Sequence, residues 1–231
     1  MAAMSATRDG VAVALYVTVP VACFRAPQAR EYLETLPVPP PSTVYGMLLS
    51  LVGEPNRLAH VGAEVALAVL GEDAPPRSTV LRTVWRVKDR ALAPGTGANA
   101  RPDYQELLTG VRLVVWCRPG STEAATPTLA ERVLDTLDNP GGTTRFGGLS
   151  LGESSHLVDE IRAYRATDGQ AARLLVRRAP GAMALPVWVD HVGSAGTVSE
   201  QFVLAPVDAD ALGQQPADAA WVAIMRERPV R

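Results

Sequence analysis

Apolar and polar positions change rhythm several times along this chain, and each change marks an element. Residues 11–20, VAVALYVTVP, are a run of apolar and β-branched residues closed by proline, which predicts a buried strand. The stretch FRAPQAREYLETLPVPPPSTVYGML (24–48) follows, opening on an aromatic and an arginine. Its consecutive Pro39, Pro40 and Pro41 favour extended backbone and exclude helix before Pro41. Ser42 or Thr43 then caps a helix that carries Val44, Met47, Leu48, Leu51 and Val52 at helical spacing, with Gly53 and Pro55 as its stop.

A second strand is read over EVALAVLG (64–71). STVLRTVWRVKDRAL (78–92) is near-alternating and studded with arginine, APGTGANARPD (93–103) reads as a mobile loop, and YQELLTGVRLVVWCRPG (104–120) returns as a strand. Together they predict a long β-hairpin projecting from the body. TPTLAERVLDTLDNP (126–140) carries a cap, Leu129, Val133 and Leu137 at helical spacing, and a stop at Asn-Pro-Gly-Gly. A glycine-dense segment, GGTTRFGGLSLGESS (141–155), comes next. HLVDEIRAY, ARLLVRR, ALPVWVDHV and SEQFVLAPV then read as further strands, and the tail beyond 208 is acidic before a closing RERPVR. The order β, α, β, hairpin, β, α predicts an α+β protein. Residues 1–155 form a ferredoxin-like or RRM-type domain with a long hairpin insertion at about 76–112, and residues 156–231 form a β-rich C-terminal extension.

Composition adds limits. The 231 residues suffice for one large domain or two small ones, and 19 glycines with 19 prolines point to many turns. No run of 18 apolar residues predicts a membrane span, and the N-terminus lacks a basic stretch leading into an apolar one, so a cytoplasmic protein is expected. Cys23 and Cys117 stand apart in strand-like sequence and read as buried thiols; no zinc spacing exists among the cysteines and the three histidines. The net charge of −2 conceals a split: residues 77–118 hold seven arginines and the only lysine, Lys88, against three carboxylates, leaving +5 there and −7 elsewhere. A basic segment on an acidic body is a local electrostatic footprint.

Two segments have the residue types for nucleic-acid chemistry. Five glycines within 141–152, with Thr143, Thr144, Arg145 and Ser150 among them, suit a backbone cradle for phosphate, and Phe146 beside Arg145 suits stacking on a base. The segment has no Gly-Lys-Ser/Thr and lies between helix and strand, so neither nucleotide-binding fingerprint fits. In the hairpin, Arg82, Arg86, Lys88 and Arg90 interleave with Trp85, the combination single-stranded sites use; arginines that only keep an exposed edge soluble are the plainer explanation. Asp159 and Glu160 point to opposite faces of a strand, and Ser42, His60 and Asp73 form no triad order. For acid–base cleavage of RNA, Tyr16, Tyr32, Tyr45, Lys88 and His156 qualify by type alone.

Phe24-Arg25-Ala26-Pro27, then Leu36-Pro37-Val38-Pro39-Pro40-Pro41-Ser42-Thr43-Val44-Tyr45-Gly46-Met47-Leu48, resemble the N-terminal signature of the CRISPR-associated Cas-five family, subunits of the type I surveillance complex (Cascade) within the RAMP superfamily. Arg145-Phe146-Gly147-Gly148-Leu149-Ser150-Leu151-Gly152-Glu153-Ser154 is similar to that family's glycine-rich motif, in the form of its Myxococcus-type branch.

The resemblance implies a non-catalytic subunit, with no cofactor or metal, that caps the 5′ handle of the CRISPR RNA. The hairpin would be its thumb. Its implied partners are the CRISPR RNA, a backbone subunit, a large subunit and, through the complex, target DNA, with no membrane. The residues expected to face RNA are Arg25, Ser42, Thr43, Tyr45, Gly46, Arg82, Arg86, Lys88, Arg90, Arg145, Phe146, Gly147 and Gly148. One branch of that family also cleaves precursor RNA with a Tyr, a His and a Lys. Here the only lysine lies in the hairpin and no histidine lies in the first signature, so a metal-independent endoribonuclease is the alternative rather than the expectation.

Overall fold

The computed structural model describes residues 12–27, 32–85, 87–192 and 195–226. Among them ten strands join one sheet: β1 (Val13–Ala22), β2 (Tyr32–Leu33), β3 (Glu64–Leu70), β4 (Arg77–Trp85), β5 (Ala100–Arg118), β6 (Glu160–Ala163), β7 (Ala172–Arg177), β8 (Met183–Trp188), β9 (Val198–Val207) and β10 (Val222–Ala223). The spatial order is β6-β1-β5-β3-β7-β9-β8, with β10 on β3 and both β2 and β4 on β5. Every pairing is antiparallel except β2 with β5. Helix α1 (Pro41–Leu51) lies in the connection from β1 to β3, and α2 (Leu129–Asp138) in that from β5 to β6.

Strand alternation sorts side chains to two faces. Val13, Leu15, Val17 and Val19 of β1, Val65, Leu67 and Val69 of β3, and Val111, Leu113 and Val115 of β5 point to one face, where α1 and α2 cover them. Leu185, Val187 and Phe202, from β8 and β9, belong to the same core. Residues 156–226 therefore extend the same sheet and the same core. The other face carries Ala66, Ala68, Leu70, Val114 and Trp116, and Leu212, Ala220 and Trp221 of the C-terminal segment close over it. That cover explains why β3 reads as a continuous apolar run: it is buried on both sides.

The α1 start differs from the expected cap. The helix begins at Pro41 with Pro40 as N-cap, and no side chain caps it. Proline at the first helical position has its φ already set and lacks only an N–H that no helix satisfies there. Helix α2 starts as expected from its sequence: Thr128 and Glu131 form a reciprocal capping box.

The hairpin is also reshaped. Its arms are β4 and the first half of β5, paired from Arg77↔Leu108 to Trp85↔Ala100. The first arm thus ends at Trp85 and the second starts at Ala100, before the expected Tyr104. The tip folds around Asn99, which is buried. Its side-chain oxygen accepts from the N–H groups of Lys88 and Asp89, both at 2.8 Å, and its amide donates to the carbonyls of Asp89 and Leu92. The stretch read as an open mobile loop therefore contains a hydrogen-bonded turn with a short 3₁₀ helix, Gly97–Asn99.

Candidate nucleic-acid interface

The glycine-dense segment runs as a strap across the body, fixed at both ends by glycines that let backbone approach backbone. Gly53 has φ +66°, and a Cβ there would lie 2.2 Å from the Thr144 carbonyl oxygen. Gly152 has φ +100°, and a Cβ there would lie 2.6 Å from the Cys23 carbonyl oxygen. Each contact admits only glycine. Between the anchors Leu151 is buried, and Leu149 accepts a backbone hydrogen bond from Val158. The apex is opposite in character: Arg145, Phe146, Gly147 and Gly148 are exposed. Phe146 is 84 % exposed, whereas Phe24 and Phe202, the other phenylalanines, are buried. A cavity of about 230 Å³ opens beside it, lined by Gly46, Leu49, Ser50, Gly53, Glu54 and Phe146 among others.

The strap's far end grips the hairpin. The Glu153 carboxylate accepts from Gln105 Nε2 at 2.9 Å and from Arg82 at 3.2 Å, and Arg82 also donates to Gln105 Oε1. Behind this latch, His156 Nδ1 accepts the Cys23 N–H at 3.1 Å. Burial, and secondarily the nearby Arg82 charge, lowers the His156 pKa against the opposing pull of Glu153. The hydrogen bond accepted from Cys23 requires an unprotonated Nδ1, and the lowered pKa acts in the same direction. Cys23 and Cys117 are buried free thiols, each with its pKa raised chiefly by burial.

A second latch holds the hairpin's opposite face. Glu106 accepts from the Thr35 N–H at 3.0 Å, from the Tyr32 hydroxyl at 3.1 Å and from Arg77 at 3.0 Å. Burial pushes its pKa up, but these donors outweigh burial and hold the carboxyl below its ordinary value. The basic segment thus spends much of its charge internally: Arg77, Arg82, Arg101 and Arg118 pair with Glu106, Glu153, Asp103 and Glu64.

The predicted RNA-facing residues separate into groups. Arg145, Phe146, Gly147 and Gly148 crown the strap, and Gly46 meets Phe146 across the cavity. Arg82 joins the strap to the hairpin, while Lys88 and Arg90 are exposed at the tip; Arg86 lies outside the described residues. Arg25 is exposed and bridges in β fashion to Thr35, and Ser42 and Thr43 are half-buried in the first turn of α1. Tyr45 is a correction. It is only 3 % exposed, and its hydroxyl donates to the Arg57 carbonyl at 2.9 Å. Burial raises its pKa to about 12. Tyr45 is turned inward because α1 is covered on a wide arc, with residues 57–62 and β8 packed beside it. Of the residues that qualify by type for acid–base cleavage, Tyr45 donates its hydroxyl to the Arg57 carbonyl, His156 Nδ1 accepts the Cys23 N–H, and Lys88 gives its backbone N–H to the Asn99 turn, so the three lie in separate local networks.

Sequence reasoning missed two features. One is the Glu153–Gln105 part of the latch, although Glu153 stood inside the quoted glycine-rich motif. The other is an apolar row across the middle of the hairpin. Tyr32 pairs with Tyr104 and Tyr104 with Leu81, and all three are exposed, as is Trp85 at 70 %. Apolar residues on an arm expected to be solvated were the available signal.

The model of the family described as CRISPR-associated protein (Cas_Cas5) matches residues 12–194. A protein of Myxococcus xanthus (strain DK1622) named "CRISPR-associated protein Cas5" is 47 % identical over 186 residues, covering 80 % of this chain and 86 % of its own length. A solved structure titled "CRISPR RNA-guided surveillance complex" contains a chain with a similar fold, at a TM-score of 0.58, 14 % identity, and coverage of 91 % of this chain and 96 % of that one. Among the described residues no helix is long and apolar enough to cross a membrane.

Proposed function

The chain belongs to the CRISPR-associated Cas5 family, and from that premise we propose that it is a non-catalytic subunit of a Cascade-type surveillance complex that caps the 5′ handle of the CRISPR RNA. The observation that carries this reading is the strap: one segment exposes Arg145 and Phe146 at its apex and bonds Arg82 of the hairpin at its end. A cation beside an aromatic suits single-stranded RNA, where charge tracks phosphates and rings stack on bases. The order β6-β1-β5-β3, with a helix in each crossover, supports a ferredoxin-like plan for this part of the sheet. The hairpin of β4 and β5 takes the role of a thumb, with its Tyr32–Tyr104–Leu81 row turned to the guide or a backbone subunit. The large subunit and target DNA complete the partners. Cleavage of the RNA by this chain draws less support, since the Tyr45 hydroxyl is buried and His156 Nδ1 already accepts the Cys23 N–H.

Purified protein incubated with end-labelled repeat RNA in EDTA, scored by filter binding and denaturing gel, tests the reading. Binding without cleavage is expected. Arg82→Ala should weaken it and lower the salt slope by roughly one unit, the signature of one lost phosphate contact. A single cut at the handle boundary would refute the non-catalytic role. Failure to bind, alone and with the backbone subunit, would refute the capping role.

A further inference from the structure

Two glycines on the outer side of α1 have different explanations. Gly53 is demanded by the fold, as its positive φ and the Thr144 carbonyl admit nothing larger. Gly46 is not. It lies inside the helix, is exposed, and a Cβ added there would meet nothing within 4 Å. Glycine inside a helix loses more backbone freedom on folding than alanine does, so the fold alone would be better served by alanine. What Gly46 provides is a bare strip of helix, and that strip floors the cavity beside the exposed Phe146 ring.

We infer that this cavity receives one unpaired nucleobase of the bound RNA, stacked on Phe146 with its edge over Gly46. At about 230 Å³ it is smaller than the roughly 300–1,000 Å³ typical of pockets for drug-sized ligands, and suits one ring system. Its polar lining chooses a base over a phosphate. Glu54 lines it as a carboxylate held by Arg132 at 2.6 Å, with a pKa lowered first by that hydrogen bond. Already bonded to Arg132 and to the Asn56 N–H, this carboxylate is a fixed acceptor, suited to the exocyclic amino group of adenine, cytosine or guanine, which uracil lacks. Arg145, exposed next to Phe146, is placed for the phosphate that flanks the base. The inference rests on the RNA-capping reading and adds the place and class of one recognised base.

The test uses the full chain and repeat RNA carrying 2-aminopurine at single positions of the handle. Stacking on Phe146 should quench one position in the wild type, and Phe146→Ala should abolish that quench and weaken binding about tenfold, within the range of base–aromatic stacking. Gly46→Leu, which fills the cavity, should do the same. Gly46→Ala should raise the Tm by about 2–4 °C while weakening binding, so that stability and affinity move in opposite directions. RNA bound with wild-type affinity by both Gly46→Leu and Phe146→Ala, with no position quenched, would overturn this inference and leave the capping reading intact. Intact RNA binding by Gly46→Leu with lost assembly onto the backbone subunit would assign the cavity to a protein side chain and overturn the base. Absence of RNA binding by the wild type, alone and with the backbone subunit, would remove both readings.

Discussion

Strand β5 passes through two environments. From Leu113 to Cys117 it lies between β1 and β3, and all five of these residues are buried. From Ala100 to Leu107 it pairs with β4, and at Tyr104 and Gln105 with β2 as well. There the buried side chains are Asp103, Gln105 and Glu106, while Tyr104 is 55 % exposed. One continuous strand thus changes from apolar core to polar latches. Apolar burial is non-directional and ends only when the core opens, whereas a hydrogen-bonded carboxylate can exchange one cation for another. The inner half is held by non-directional burial, and the outer half by a few directional polar contacts.

The sharpest test of that contrast lies in the inner half. Leu113→Ala should cost about 2–5 kcal/mol by urea unfolding, because the cavity it leaves is enclosed by both helices and the sheet. A loss below about 1 kcal/mol would mean that this part of the core is loosely packed. Glu106→Gln comes next, at about 1–3 kcal/mol, since it replaces a carboxylate that satisfies three donors. Its pKa is lowered on folding, so its contribution is complete above the ordinary value of 4.5 and is lost as pH falls through the lowered folded value. The wild type should therefore lose more stability on acidification below pH 4.5 than Glu106→Gln; parallel curves would show that this carboxylate is not linked to folding. Smallest in stability is Glu153→Gln, expected to cost under about 1 kcal/mol, because its pair with Arg82 is partly exposed. Its larger effect should be faster amide exchange over residues 100–107 and a gain of a few-fold in RNA affinity, as Arg82 is freed for phosphate. Unchanged exchange would show that Gln105 and Arg82 hold the hairpin without Glu153.

Local patterns made most elements legible. The alternation of Val13, Leu15, Val17 and Val19, the spacing within α1, and the Thr128–Glu131 box all state their structure within one segment. What was not legible depends on partners far away in the chain. Tyr45 has helical spacing compatible with either side of α1, and only the packing of residues 57–62 and β8 against that helix turns it inward. Asn99 looked like loop composition, but four residues of the turn, Lys88, Asp89, Leu92 and Ala93, converge on its side-chain amide. The Glu153 latch joins residues separated by 71 positions, which no window of sequence exposes. The strap was legible as a feature, since five glycines flanking Arg145 and Phe146 mark close backbone approach, and Phe146 is exposed among them.

The C-terminal cover has a consequence for synthesis. Val222 and Ala223 pair with Val65 and Glu64, and Leu212, Ala220 and Trp221 close the second face of β3 and β5. A ribosome delivers β3 early and these residues late, with most of the chain between them. Until then the nascent protein carries a two-sided apolar strand with one side open to water, a surface that invites association with other chains. Interruptions of translation upstream of Trp221 therefore leave a product with an adhesive face.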